Sequence, residues 1–404
     1  MSAQHDALIV GAGPAGSALA YFLASSGLDV LLVDKRAFPR DKTCGDGLSP
    51  RALRVLRTMG LLDELLKTGW RINNVLLVAP NGRPIHAPVP PCDGLPDFAL
   101  VLPRLKLDDL IRARAVSAGA EFRSGVNGMD VLREGDQIVG VRADTANGPL
   151  ELRARLTVLA TGASVSLLER ANLLAAPPAF GRAARAYYED MRGLSDTVEF
   201  HFDSVPLPGY GWIFPVSPTC ANLGAGYFVR AGKPPMRNSP RQVMDEFMAS
   251  PSVAKMIDGA RPASPPKGYP LRFDFPTART AFPGLALVGE ACGLVNPLTG
   301  EGIDYALESA EVAAEVLGEA LRSGEAAGAA AQKYAQALRG RFLRTFENIS
   351  RVRDLYLQGW VLNRFAAAAN RDKDLKLLLI HIALGNVDPI RALTPRTLLK
   401  VALG

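Results

Sequence analysis

Ala7-Leu8-Ile9-Val10-Gly11-Ala12-Gly13-Pro14-Ala15-Gly16, near the start of this 404-residue chain, is the stretch that decides the fold. An apolar run leads straight into Gly-x-Gly-x-x-Gly, and the small-residue segment Ala15–Ser25 behind it reads as a helix. Leu28–Val33 follows as a buried strand and ends at Asp34. This order is a βαβ unit with the dinucleotide fingerprint. Gly11 permits the tight turn, Gly13 admits a pyrophosphate against the backbone, and Gly16 lets helix and strand approach closely. The helix start offers free N–H groups to phosphates. Asp34 can accept hydrogen bonds from a ribose, with Lys35 beside it. The glycine turn alone does not separate FAD from NAD(P).

Working outward, Pro50–Gly60 and Lys106–Ala118 read as helices. Val75–Val78, Phe98–Leu102, Val126–Leu132, Ile138–Ala143 and Leu150–Ala160 read as strands. Asn147-Gly148 marks a hairpin turn. From about Phe180 to Leu271 aromatic strands alternate with Pro/Gly turns: Ala186–Glu189, Thr197–Phe202, Tyr210–Pro215 and Asn222–Phe228. They predict an antiparallel sheet walling a pocket. Leu285–Val288 returns to buried parallel-strand character. Tyr305–Leu321 is a long helix, and the chain beyond Gly324 is helical with breaks near Gly359, Asp372 and Pro389.

The far end separates the cofactors. Val288-Gly289-Glu290-Ala291-Cys292-Gly293 continues into Pro297-Leu298-Thr299-Gly300-Glu301-Gly302-Ile303. This resembles the second FAD motif of the para-hydroxybenzoate hydroxylase-like flavoprotein superfamily. The resemblance implies that the carboxylate at position 290, usually Asp and here Glu, meets the ribityl–phosphate part of FAD. It implies that Pro297, Gly300, Gly302 and Ile303 pass beside the flavin ring. Arg104 also matches a superfamily position that approaches FAD. Thr161-Gly162 stands where aromatic hydroxylases carry an Asp-Gly linked to FAD and NADPH, which argues against a standard NADPH-dependent hydroxylase.

Two signatures narrow the family. Pro39-Arg40-Asp41-Lys42-Thr43-Cys44-Gly45 resembles the P-x-x-K-x-C-G segment of geranylgeranyl reductases. Tyr210-Gly211-Trp212-Ile213-Phe214-Pro215, followed by Gly224-Ala225-Gly226, resembles their Y-x-W-x-F-P…G-x-G substrate motif. The resemblance covers Ala7–Leu321. It implies reduction of isolated C=C bonds in an isoprenoid chain of a prenyl lipid or prenylated quinone, with hydride from reduced FAD. It leaves the electron donor open, NAD(P)H or ferredoxin. The resemblance places Cys44 on the reactive side of the flavin as the candidate catalytic residue, there either to donate a proton or to shape the pocket. Gly45 and Gly47 are expected to let the backbone approach a planar ligand. Phe200, Phe202, Tyr210, Trp212, Phe214, Tyr227 and Phe228 are candidate pocket walls or core, and Cys292 is a candidate flavin neighbour or packing residue. A monooxygenase or halogenase of the same fold, acting on a small aromatic or amino-acid-derived substrate, is the second reading. Tyr210 and Phe214 depart from the halogenases' W-x-W-x-I-P. A flavoprotein that binds without turnover is the third.

Composition bounds the rest. A net charge of +6 without a dense Lys/Arg tract argues against nucleic acid. Four scattered cysteines and four scattered histidines give no metal spacing, so no metal site is expected. No leader and no spanning run are read, so the expectation is cytoplasmic, with peripheral contact on the inner membrane face through Leu375–Gly404 as one option and a helical cap on the flavin domain as the other. The fold expectation is α/β (α+β overall). Segments 1–72, 100–175 and 275–325 form a Rossmann-type FAD-binding domain. Segments 73–99 and 176–274 form an antiparallel-sheet substrate domain, and 326–404 a C-terminal helical region.

Overall fold

The computed structural model describes residues 5–174, 176–229, 238–356 and 358–402. Its first sheet is built on four parallel pairings. Strand His5–Val10 lies between Gly148–Leu159 and Val30–Asp34; Leu285–Leu287 and Glu121–Ser124 extend the two sides. The central strands are buried on both faces, as a parallel sheet covered by helices requires. Helix Pro14–Ser25 and helix Ile303–Ser323 pack against each other over it. Asn127–Glu134 and Gln137–Thr145 complete an antiparallel meander with Gly148–Leu159. Its turn sits at Ala146-Asn147, one residue before the expected place, because Gly148 at φ +105° already pairs with Thr145.

The second sheet runs Arg261–Pro262, Phe180–Glu189, Ala221–Phe228, Gly209–Pro215, Thr197–His201, Asn74–Val78, Pro84–Pro88, with Lys267–Arg272 also on Phe180–Glu189. It is not wholly antiparallel. Thr197–His201 pairs in parallel with Asn74–Val78, because that strand enters from a distant part of the chain rather than through a hairpin. A small three-stranded sheet (Gly47–Leu48, Ala99–Val101, Trp70–Ile72) lies where the two large sheets meet.

The C-terminal helices Gly359–Ala369 and Lys373–Ala383 bury Val361, Phe365, Leu375 and Ile380 in one core with Ile72, Val75 and Ile85. They therefore cap the outer end of the second sheet, not the first, as their contacts with Pro84–Pro88 show. Among the described residues no helix is long and apolar enough to cross a membrane.

Candidate active site

A cavity of about 1030 Å³ lies between the two sheets. Its wall contains Gly11, Gly13, Ala15, Asp34, Lys35, Cys44, Gly45, Arg104, Thr161, Gly162, Glu290, Gly300, Gly302 and Ile303, and on the other side Tyr210, Trp212, Phe214 and Gly226. Segments almost 300 residues apart in sequence thus share one space. Gly16, Pro215, Gly224, Pro297 and Cys292 lie outside that wall. A Cβ on Gly16 would fall 1.9 Å from the Gly11 carbonyl oxygen, so Gly16 serves helix–strand packing. A Cβ on Gly224 would fall 2.2 Å from the Trp212 ring, so this glycine makes room for the indole. Pro215 closes its strand opposite Ala221. Pro297 is buried in the turn behind the wall. Cys292 is fully buried, its thiol donates to the Gly289 carbonyl at 3.1 Å, and burial pushes it up to about 12; it is a packing residue.

The dinucleotide end fits its group. The helix Pro14–Ser25 starts without a side-chain cap, so its first N–H groups are free at the cavity. Gly13 has φ −77°, and a Cβ there would meet only Arg40 Nη2 at 3.8 Å. The cradle is empty of protein atoms where a phosphate would approach. Asp34 accepts from the backbone N–H of Ala12 and of Arg36, both at 2.9 Å, tying the glycine turn to the end of the second strand. Glu290 accepts from the Arg272 N–H at 3.1 Å and from Lys42 Nζ at 3.3 Å. Lys42 also stands 4.3 Å over the Tyr269 ring. Burial lowers its proton affinity, yet Glu290 and Tyr269 together, with Cys44, hold the ammonium above its ordinary value. The longer glutamate thus reaches the cavity wall with an ammonium beside it. Arg104 opens its helix rather than preceding it, is buried, and is held by Asp108 at 2.5 and 2.8 Å. Thr161 donates to the Ser164 carbonyl at 3.0 Å.

The opposite wall follows from strand periodicity. In Gly209–Pro215, Tyr210, Trp212 and Phe214 share one face. Gly211 and Ile213 take the other, where Gly211 touches the Phe247 ring of helix Pro240–Met248. Phe200, Tyr227 and Phe228 also line the cavity. Phe202 does not; with Phe200 and Tyr210 it lines a smaller apolar cavity under Leu362, Phe365 and Leu379. The planar group against Gly45 and Gly47 is the protein's own Phe214, whose ring would lie 3.2 and 3.3 Å from a Cβ at each.

Polar residues absent from the expected set complete the site. Asp46 lines the cavity, is fully buried, and has φ +66°. Its carboxylate accepts from the Tyr187 hydroxyl, from Asn222 Nδ2 at 2.8 Å and from the Arg104 N–H at 3.2 Å. Burial pushes Asp46 up to about 6 against these donors. Arg185 is buried beside Tyr187, with its centre 4.5 Å from that ring, and donates to Asp41 at 2.5 Å. Further along the wall, burial reinforced by Asp304 drives Glu301 well above the carboxylate range. Arg51 holds this corner through Asp304 at 3.0 Å, Glu308 at 2.5 Å and the Gly385 carbonyl at 3.0 Å. The Asp46 group had a signal: polar residues among the aromatics and glycines of a pocket strand. Its partners, however, lie 141 and 176 positions away.

A family model described as an FAD binding domain matches residues 4–174. The menaquinone reductase of Mycobacterium tuberculosis strain H37Rv is 33% identical over 329 residues, covering 77% of this chain and 76% of that protein. Digeranylgeranylglycerophospholipid reductase 2 of Methanopyrus kandleri is 31% identical over 386 residues, 93% of each chain. A geranylgeranyl bacteriochlorophyll reductase-like protein from Thermoplasma acidophilum superposes with a TM-score of 0.81 over 96% of this chain and 98% of that one, at 23% identity, a likeness of fold.

Proposed function

The chain belongs to the geranylgeranyl reductase family of FAD-dependent oxidoreductases, and from that membership we propose that it reduces isolated C=C bonds in the isoprenoid chain of a prenyl lipid or prenylated quinone. The observation that carries this reading is the lining of the cavity. One side is glycine turns and carboxylates; the other is a continuous aromatic wall, and an apolar cavity shares Phe200 and Tyr210 with it. Two relatives are named for reduction of menaquinone and of a digeranylgeranylglycerophospholipid, which supports a prenylated substrate.

When bound, reduced FAD supplies hydride. The chain's own residues do the rest. The start of helix Pro14–Ser25, Gly11 and Gly13 would receive the pyrophosphate, Asp34 the ribose, and Glu290 with Lys42 the ribityl–phosphate part. Phe200, Tyr210, Trp212 and Phe214 orient an apolar chain and exclude water. The Tyr210 hydroxyl is spent on the Thr299 carbonyl, so the ring presents its apolar face. Cys44, half-buried on the cavity wall, delivers the proton. The helices beyond Gly324 expose Trp360, Ile390, Leu398 and Leu399 to solvent, and Arg391 and Arg396 are exposed too, apolar and cationic groups suited to an anionic membrane surface.

The deciding experiment is anaerobic. Photoreduced holoenzyme mixed with a geranylgeranyl lipid or menaquinone is expected to return to the oxidised flavin spectrum and to add hydrogen to the chain. Reoxidation only on admission of oxygen, with a hydroxylated or halogenated product, overturns the reading.

A further inference from the structure

Both ends of the Cys44-Gly45-Asp46 segment are tied by one side chain, and Tyr187 adds a bond to Asp46 alone. Asn222, fully buried on strand Ala221–Phe228, uses its one amide group twice: Nδ2 donates to the Cys44 carbonyl at 2.7 Å and to the Asp46 carboxylate at 2.8 Å. Its amide oxygen accepts from Trp212 Nε1 at 3.0 Å, which leaves only one orientation of the amide compatible with all three bonds. Asp46 needs such restraint. It is a non-glycine residue at φ +66°, and the preceding Gly45 packs directly on Phe214. Nothing else in the reductase motif explains Asn222, which lies between its two halves.

We propose that Asn222, locked by Trp212, is a positioning residue that sets where Cys44 stands on the cavity wall, acting through the Cys44 carbonyl and the Asp46 carboxylate. The inference rests on the reading of Cys44 as proton donor only for its effect on turnover; the effect on the thiol stands by itself. The clamp is sensitive to charge. Asp46 faces Tyr187, Asn222 and the Arg104 N–H directly, with the Arg185 cation next in range, while the Arg104 guanidinium acts on the Cys44 thiol. Three donors converge on the carboxylate, so the ionised form fits them all. Protonation weakens these bonds, because a neutral carboxyl is a poorer acceptor than a carboxylate.

The test uses FAD-loaded full-length protein. Asn222→Asp has the same size and keeps an acceptor for Trp212, but removes the amide donor and sets a second carboxylate against Asp46. Trp212→Phe keeps a ring on the wall and removes the N–H that locks the amide, and its alkylation readout serves if the first variant folds poorly. Cys44 alkylation by iodoacetamide is followed peptide by peptide, with Cys92 and Cys220 as internal references. Both variants are expected to keep FAD and to change the Cys44 rate about tenfold with the reference cysteines unchanged. In Asn222→Asp the acid limb of turnover moves to higher pH, because like charges raise proton affinity. The kcat falls about tenfold or more while KM stays within about threefold. An unchanged Cys44 rate in both variants overturns the inference, whatever happens to turnover. A fully active Cys44→Ser overturns catalysis by Cys44 instead, and leaves the altered alkylation as support for the clamp.

Discussion

Gly11, Gly13 and Gly16 are alike in the motif, but a side chain at each meets something different. At Gly11 and Gly16 a Cβ would run into backbone at 2.3 and 1.9 Å, so substitution there breaks the fold. At Gly13 the backbone is extended and the nearest atom is 3.8 Å away. Gly13→Val is therefore expected to fold, with an apoprotein Tm within a few degrees of wild type, and to purify without flavin because its side chain occupies the pyrophosphate space. Wild-type-like flavin content in that variant would show that the cradle is not used. Cys44 carries the second prediction at this scale. Cys44→Ser is expected to retain FAD and to slow the step after flavin reduction by roughly 100-fold, the low end for a lost general acid. A serine hydroxyl is far less acidic than a thiol with an ordinary pKa of about 8.5. Unchanged alkene reduction leaves Cys44 a wall residue.

Strand Thr197–His201 shows how an element carries electrostatics that its neighbours do not share. His201 is buried against the Phe247 ring, with Nε2 2.9 Å from Glu199 and Nδ1 3.5 Å from Asp203. Burial disfavours the imidazolium, but Asp203 and Glu199 outweigh it and raise the group to about 9. A folded pKa above the unfolded value of about 6.5 means stabilisation that is complete below pH ~6.5 and lost as pH rises through ~9. Wild-type Tm is expected to fall by a few degrees across that window, and His201→Gln to flatten the slope. A parallel slope in the variant would assign the pH dependence elsewhere. The neighbouring strand Gly209–Pro215 was legible in sequence because aromatics at every second position must share a face. The parallel pairing of Thr197–His201 with Asn74–Val78 was not legible, since neither strand's pattern names its partner.

At the scale of the whole molecule, the C-terminal helices face two ways. Their inner residues Leu362, Phe365, Leu379 and Ile382 roof the smaller apolar cavity. Their outer residues Trp360 and Leu399 are 64% and 61% exposed, the most exposed large apolar side chains among the described residues. Trp360 fluorescence is expected to shift to the blue on adding anionic phosphatidylglycerol vesicles. The double change Trp360→Ser, Leu399→Ser is expected to weaken vesicle binding about tenfold or more, from the apolar area withdrawn. Equal co-sedimentation of both proteins would place the contact on another face.

The sequence by itself determined the first βαβ unit, the second glycine-rich turn and the alternation of the pocket strand. Each of these is local: a glycine where a turn or a close approach demands it, and a period of two that any strand must obey. Only the tertiary structure decided which residues share the cavity. Glu290 meets Lys42, Asn222 spans Cys44 and Asp46, and Phe214 lies on Gly45 and Gly47. It also decided that the last helices cap the second sheet. Hydrogen bonds and packing between segments up to 334 positions apart leave no mark in local composition. Buried polar groups must find partners wherever the fold brings them, and that choice exists only once the sheets have closed on each other.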